Sequence, residues 1–301
     1  MAGILAVVLA VALREPRFEG RSLTAWLDSM AATNDGPTPI RLRQHPARQS
    51  LRNSGDRVLP TLEREILRSA DRLNRSQTTF FHLSILWARV GRFLPGNLGL
   101  STPQPNVAEN QIAEGRIFWA TGLVMDLSPD WVSGLNRLES VADTVPLPIL
   151  VAASGVFATL ADPDGSLASN LVARLRSSRV GADRRPLWIS CLAHLHSPLP
   201  DHADLVRSLT RDSEPDVRAE AIRALGRLDT REDTASFIQA AANDTPTRQA
   251  AMVAYLHMGP RARSAESFIR STVQDRDWLT SFFAQTALKQ LTTGSNLPPS
   301  P

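Results

Sequence analysis

Leu205 to Leu228 reads LVRSLTRDSEPDVRAEAIRALGRL. Leu205, Val206 and Leu209 form the apolar stripe of a short helix. Asp212-Ser213-Glu214-Pro215 interrupts it, because proline lacks an amide donor and its ring drives the preceding residue out of the helical region. Val217, Ala221, Leu225 and Leu228 follow at spacings of four, four and three, the apolar face of a second helix. Two short amphipathic helices around a tight turn cannot shield both stripes alone. Such a unit persists only when stacked on copies of itself, so the stretch predicts an all-α solenoid of antiparallel helix pairs.

The copies are present. Leu205 to Phe237 spans 32 residues and Phe237 to Phe268 spans 31, while Asp212, Asp244 and Asp275 recur at 32 and 31. Phe237-Ile238 and Phe268-Ile269 open matching first helices, and Pro215 and Pro246 hold the same place in their turns. Leu171 lies 34 residues ahead of Leu205, so the period of 31 to 34 extends over four units.

Asp212-Ser213-Glu214-Pro215-Asp216-Val217-Arg218, followed by Ala221 and by Ala224-Leu225-Gly226, closely resembles the HEAT-repeat consensus, especially its short bacterial form. Asp244-Thr245-Pro246-Thr247-Arg248 with Ala251 is a fainter copy. Asp275 to Leu291 is fainter again, with Leu279 where the others carry Arg218 and Arg248. Gly20-Arg21-Ser22-Leu23 ahead of Trp26-Leu27 is similar to the opening of exported bacterial proteins of that family. The resemblance implies an α-α superhelix in which the turn residues Asp212, Pro215, Arg218, Asp244, Pro246 and Asp275 are structural. A turn leaves backbone groups unpaired where repeats meet, and a carboxylate or guanidinium can satisfy them.

The resemblance also implies a non-catalytic scaffold whose concave face, lined by the second helices, engages an extended protein partner. Arg223 and Arg227, one turn apart and off the apolar face, are the candidate contacts. Arg248 either joins them or belongs to its turn. With Glu220 nearby, an internal ion pair is the plainer role for these arginines. Two enzymatic alternatives come from the same resemblance: some relatives with short repeats act on bilins, and a distant helical-repeat group excises alkylated DNA bases. No bilin pocket can be named here, and the DNA reading wants aromatic and basic residues along a duplex groove.

Outside the repeats the chain reads less regularly. Ala2 to Leu13 is an unbroken apolar run closed by Arg14, shorter than the ~20 residues a spanning helix needs. Its length and Ala10-Val11-Ala12 fit a secretory signal, although no basic residue precedes it. Residues 1–13 are therefore expected to be a signal-like or anchor segment, placing the chain in the cell envelope; a packed helix in a cytoplasmic protein is the alternative. Residues 14–106 read as divergent helical repeats ending in a Pro/Gly-rich loop at 95–106, residues 107–291 as HEAT-like repeats, and 292–301 as a frayed tail. Ser22 caps a helix carrying Leu23, Trp26, Leu27 and Met30. Leu59, Leu62, Ile66 and Leu73 mark another, and Phe81, Ile85, Trp87 and Val90 a separate one. Ser128-Pro129 reads as a cap and first turn, and Pro146 and Pro186 open two further helices.

Composition narrows the chemistry. Lys289 is the one lysine among 33 basic residues, and it sits in Leu-Lys-Gln, so no Walker phosphate loop is present. Nine arginines face four acids between Arg41 and Arg75, but Arg64 and Arg68 stand within helical pairing distance of Glu63, Glu65 and Asp71. That favours a solvated face over a nucleic-acid stripe. Cys191 is alone, which excludes an internal disulfide, and it falls in the apolar helix of Trp188, Ile189, Leu192 and Leu195. His194, His196 and His202 lack the carboxylate support and helical spacing of a zinc site and are better explained as polar residues closing a helix. No nucleophile, base and orienting group assemble, so no catalytic residue, cofactor or metal is expected.

Overall fold

The computed structural model describes residues 17–18, 20–31, 45–54, 58–90, 107–158, 166–177, 184–195 and 200–293, and helices dominate it. Two units cluster separately, Met1–Ala153 and Ser154–Pro301. The first begins with the strands β1 (Arg17–Phe18) and β2 (Arg21–Ser22), an antiparallel pair turned by Gly20 at φ +79°, a region that favours glycine. Its helices are α1 (Leu23–Ala31), α2 (Pro46–Asn53), α3 (Leu59–Val90), α4 (Val107–Leu127) and α5 (Trp131–Val141). α6 (Leu147–Ala158) contains the boundary between the units.

Ser22 Oγ accepts from the Ala25 amide at 3.1 Å and caps α1, and the Trp26 indole donates to the Phe18 carbonyl at 3.1 Å. Leu23 and Leu27 of α1, Leu62 and Ile66 of α3, and Ile117 and Leu123 of α4 are fully buried. α4 is the helix against which both α1 and α3 pack. Arginine–carboxylate pairs link these helices: Arg48 to Asp126 at 2.8 Å, Arg116 to Asp28 at 2.6 Å, and Arg137 to Glu63 at 2.6 Å. Glu63 and Glu65 thus reach other helices, Glu65 lying 3.6 Å from Arg116, instead of serving only Arg64 and Arg68.

Two local expectations are corrected. α3 is one helix of 32 residues, not two. The polar stretch 74–79 breaks the apolar stripe, but it holds no proline or glycine to stop the helix. Asp130, not Ser128, caps α5: its carboxylate accepts from the Ser133 amide at 2.7 Å. The apolar run 1–13, the loop 95–106, the side chains of Phe81, Ile85, Trp87 and Val90, and the tail 294–301 lie outside the described residues. No helix among the described residues is long and apolar enough to cross a membrane.

The second unit is a stack of helix pairs. α7 (Ser166–Arg176) precedes α8 (Arg185–His194), and α9 (Pro200–Leu209) precedes α10 (Pro215–Leu228). α11 (Thr234–Ala241) precedes α12 (Thr245–Met258), and α13 (Glu266–Thr272) precedes α14 (Trp278–Thr293). The second helices form the spine, each packing on the next from α8 through α10 and α12 to α14, while α7, α9 and α13 each lie on the second helix of their own pair. The fourth first-helix departs from expectation. It starts as a 3-10 segment at Gly259–Ala265, after a reversal at Gly259 with φ +54°, and becomes α13 only at Glu266.

α10 explains the packing. Val217, Ala221, Leu225 and Leu228 are buried, as the stripe requires, but so are Ala219, Ile222, Ala224 and Gly226. A helix with neighbours on both flanks needs small residues there to let backbones approach. At Gly226 that approach is close: a Cβ would stand 2.5 Å from the Ala254 carbonyl oxygen of α12. Arg261, from the 3-10 segment, donates to the carbonyls of Asp229 at 2.8 Å and Gly226 at 3.2 Å, closing the end of α10.

Candidate functional site

Two rows of polar side chains cross the second helices, and they differ in whether their charges are spent. The first row stands at the turns. Arg185 at the start of α8 pairs with Asp212, Arg218 of α10 donates to Asp244 at 2.8 Å, and Arg248 of α12 donates to Asp275 at 3.1 Å. Each arginine thus bridges to the aspartate of the following turn. Arg218 also donates to the carbonyls of Asp212 at 3.0 Å and Ser213 at 2.9 Å. The aspartates order their own turns: Asp212 accepts from the Glu214 amide, Asp275 from the Asp277 amide, and Asp244 caps α12 in a reciprocal pair with Thr247. Those bonds, and then Arg218, hold the Asp244 carboxyl down to about 2. Pro215 is the first residue of α10 and Pro246 the second of α12, both in the opening turn, where amides have no intrahelical partner to lose. Arg248 therefore belongs to its turn.

The second row lies nine residues further along each helix. His194 of α8, Arg227 of α10 and His257 of α12 succeed one another at 33 and 30 residues, the same intervals that separate Arg185, Arg218 and Arg248. Equal register on stacked helices puts the three on one face, and Arg227, two residues beyond the buried Leu225, lies on roughly the opposite side of α10 from it. Burial, followed by the Arg227 charge, holds His194 down to about 4, while the Ser190 carbonyl that its Nδ1 contacts at 2.8 Å opposes that shift. His257 is held down to about 3 by burial, then by Arg227 and His194. Both imidazoles are neutral at pH 7.

Glu220 and Arg223 stand beside this row. Arg223 donates to the Glu220 carboxylate at 2.5 Å, and the Ser190 hydroxyl adds another hydrogen bond to it. Burial nonetheless pushes the Glu220 carboxyl up. Arg227 is half-buried and makes no hydrogen bond or ion pair among the described residues. Burial pushes its guanidinium down, with only the Glu220 charge in opposition. The last turn of α6 borders the row, because a Cβ at Gly155 would meet Ser190 Oγ at 2.4 Å and His194 Nδ1 at 2.8 Å.

Of the arginines singled out from the sequence, Arg223 and Arg227 thus come together and Arg248 stands apart, in the turn row. Sequence reading did name Glu220 as an ion-pair partner for these arginines, but it missed that His194 and His257 share the register of Arg227: His194 was weighed within its own helix and His257 was not singled out. The shared intervals of 33 and 30 were the available signal. His196 lies outside the described residues, and His202 is buried in α9. Among the described residues no three histidines, cysteines or carboxylates are grouped to hold a metal ion. Cys191 is a free, buried thiol inside α8.

Comparison with known proteins gives one assignment. A family model described as HEAT repeats matches residues 171–257, from α7 to the penultimate residue of α12. No curated protein and no solved structure matches. Residues 171–257 are thus HEAT repeats, as that family model describes them.

Proposed function

We propose that the second unit is a protein-binding scaffold whose contact surface is the face of α8, α10 and α12 turned away from the first helices. HEAT repeats commonly mediate protein–protein interaction, and the family is typically non-catalytic. The observation that carries the reading here is the contrast between the two rows. Turn arginines Arg185, Arg218 and Arg248 are each neutralised by the next repeat, whereas Arg227 holds a half-buried charge without a partner among the described residues. A fold gains nothing from burying a cation unpaired, so a charge kept in that state is better explained by something that arrives from outside.

Site-specific photo-crosslinking in the native cell tests the reading. A crosslinker at Val253 or Arg223 should give a discrete protein adduct, and one at Ser208 or Ser236, exposed on the first helices, should not. Equal yields from both faces would count against it. So would tight binding to duplex DNA that weakens steeply with added salt, the signature of phosphate contacts.

A further inference from the structure

We infer that Arg227, set between His194 and His257, is the docking point for a carboxylate on an extended acidic segment of the partner. The inference rests on the scaffold reading and names the chemistry the surface selects. Arg227 presents five N–H donors in a planar fork, a shape that matches a carboxylate through two parallel hydrogen bonds. No carboxylate within the described fold supplies them. Glu220 lies nearest in charge, but its oxygens are committed to Arg223 at 2.5 Å and to the Ser190 hydroxyl. Two guanidiniums against one carboxylate leave a surplus of a single positive charge on this face, because both flanking imidazoles are neutral. One surplus charge suits the single charge of a glutamate or aspartate better than the near-double charge of a phosphate.

The geometry also sets the form of the ligand. His194, Arg227 and His257 occupy one register on three consecutive helices, so the row runs across the helices. Packed helices stand about 8–10 Å apart, which puts roughly 20 Å between the outer members of the row. An extended chain covers that distance in about six residues. His257 makes no hydrogen bond among the described residues, and Nε2 of His194 is free of the contact its Nδ1 makes with Ser190. The ring edges on either side of Arg227 therefore remain available to polar groups of a crossing segment.

Fluorescence anisotropy on the full chain at low salt tests this, with a labelled hexaglutamate peptide as probe and hexaserine and hexalysine as controls. The expected result is saturable binding of hexaglutamate alone, weakened at least tenfold in R227Q. R270Q, on an exposed arginine of α13 paired with Glu266, should change it less than twofold. A V253D variant provides a second reading should R227Q fail to fold, because a carboxylate one turn from His257 repels the same peptide and is likewise expected to cost about tenfold. No binding of hexaglutamate, or equal binding by folded R227Q and V253D, overturns the inference. So does a hexaphosphoserine peptide that binds more than tenfold tighter than hexaglutamate. If crosslinks still map to Val253 while hexaglutamate ignores Arg227, the scaffold stands and the carboxylate assignment falls; if crosslinks are absent too, both fall.

Discussion

A guanidinium reaches three acceptors at once only where the chain holds them in its plane, and Arg218 is placed that way. It joins the carbonyls of its own turn to the carboxylate of the next. Arg218→Ala strands two carbonyls and removes the charge facing Asp244, so a loss of about 1–3 kcal/mol and a melting point lower by several degrees are expected. Arg218→Lys should recover part of this, since an ammonium cannot fork across the same acceptors. The histidines of the second row give the molecule a pH dependence of definite sign. His194 and His257 refuse protons in the fold until about pH 4 and about pH 3, while the unfolded chain takes them up near 6.5. Above pH 6.5 neither state is protonated and the effect vanishes. As the pH falls below 6.5 only the unfolded chain gains protons, and stability is lost, by about 2 kcal/mol per histidine between pH 6.5 and 5. Glu220, pushed up by burial, works the other way, gaining stability as the pH falls towards its unfolded range. Melts of the wild type and of H257Q at pH 7 and pH 5 check this: H257Q should lose less than the wild type, by about 2 kcal/mol, and equal losses in the two proteins would show that His257 is freely protonated in the fold.

Within a helix, the stripe that meets its own pair and the flanks that meet the neighbouring repeats obey different rules. Leu225 belongs to the stripe of α10 and is fully buried, so Leu225→Ala should cost about 2–5 kcal/mol, and an unchanged melt would mean the face is misassigned. Gly226 belongs to a flank. A methyl there would press on Ala254 backbone that has no rotamer to move, so Gly226→Ala should part α10 from α12 and cost about 1–3 kcal/mol despite alanine's better helix propensity. A thermal melt of the variant decides the sign. The stripe was legible because spacings of three and four depend on the helix alone. The flank was not, because the need for glycine at 226 is set by a carbonyl 28 residues away. The same division explains the misread elements. Ser128-Pro129 has the composition of a helix start, but Asp130 has the stronger side-chain acceptor in reach of the Ser133 amide. The polar stretch 74–79 hid the continuity of α3, since hydrophobic period and helix continuity are separate properties.

At the scale of the molecule, the repeats made the second unit readable from its period, while the first unit offered no period to read. Its ties are long-range pairs such as Arg48 with Asp126 and Arg116 with Asp28, which no local spacing announces. The candidate site falls between these cases. Arg223 and Arg227 stand out by their angle from the stripe, Arg248 could not be divided between turn and face, and the histidines emerge only when three repeats are aligned. Stacking also dictates how stability is shared within the second unit. In a linear array each repeat is held by its neighbours, so helices flanked on both sides outlast a helix with one neighbour. α10 lies between α8 and α12, and α12 between α10 and α14, whereas α14 has a second helix on one side only among the described residues. Its outer surface shows the difference: Trp278 is 73% exposed and Phe282 is 54% exposed, against full burial of Ile222 in α10 and Met252 in α12. Native-state hydrogen exchange should therefore find the slowest amides of the second unit in α10 and α12, with those of α14 opening at lower free energy and exchanging at least about tenfold faster. Uniform protection from α10 to α14 would mean that the unit opens all at once, and that its helices do not share stability by adjacency.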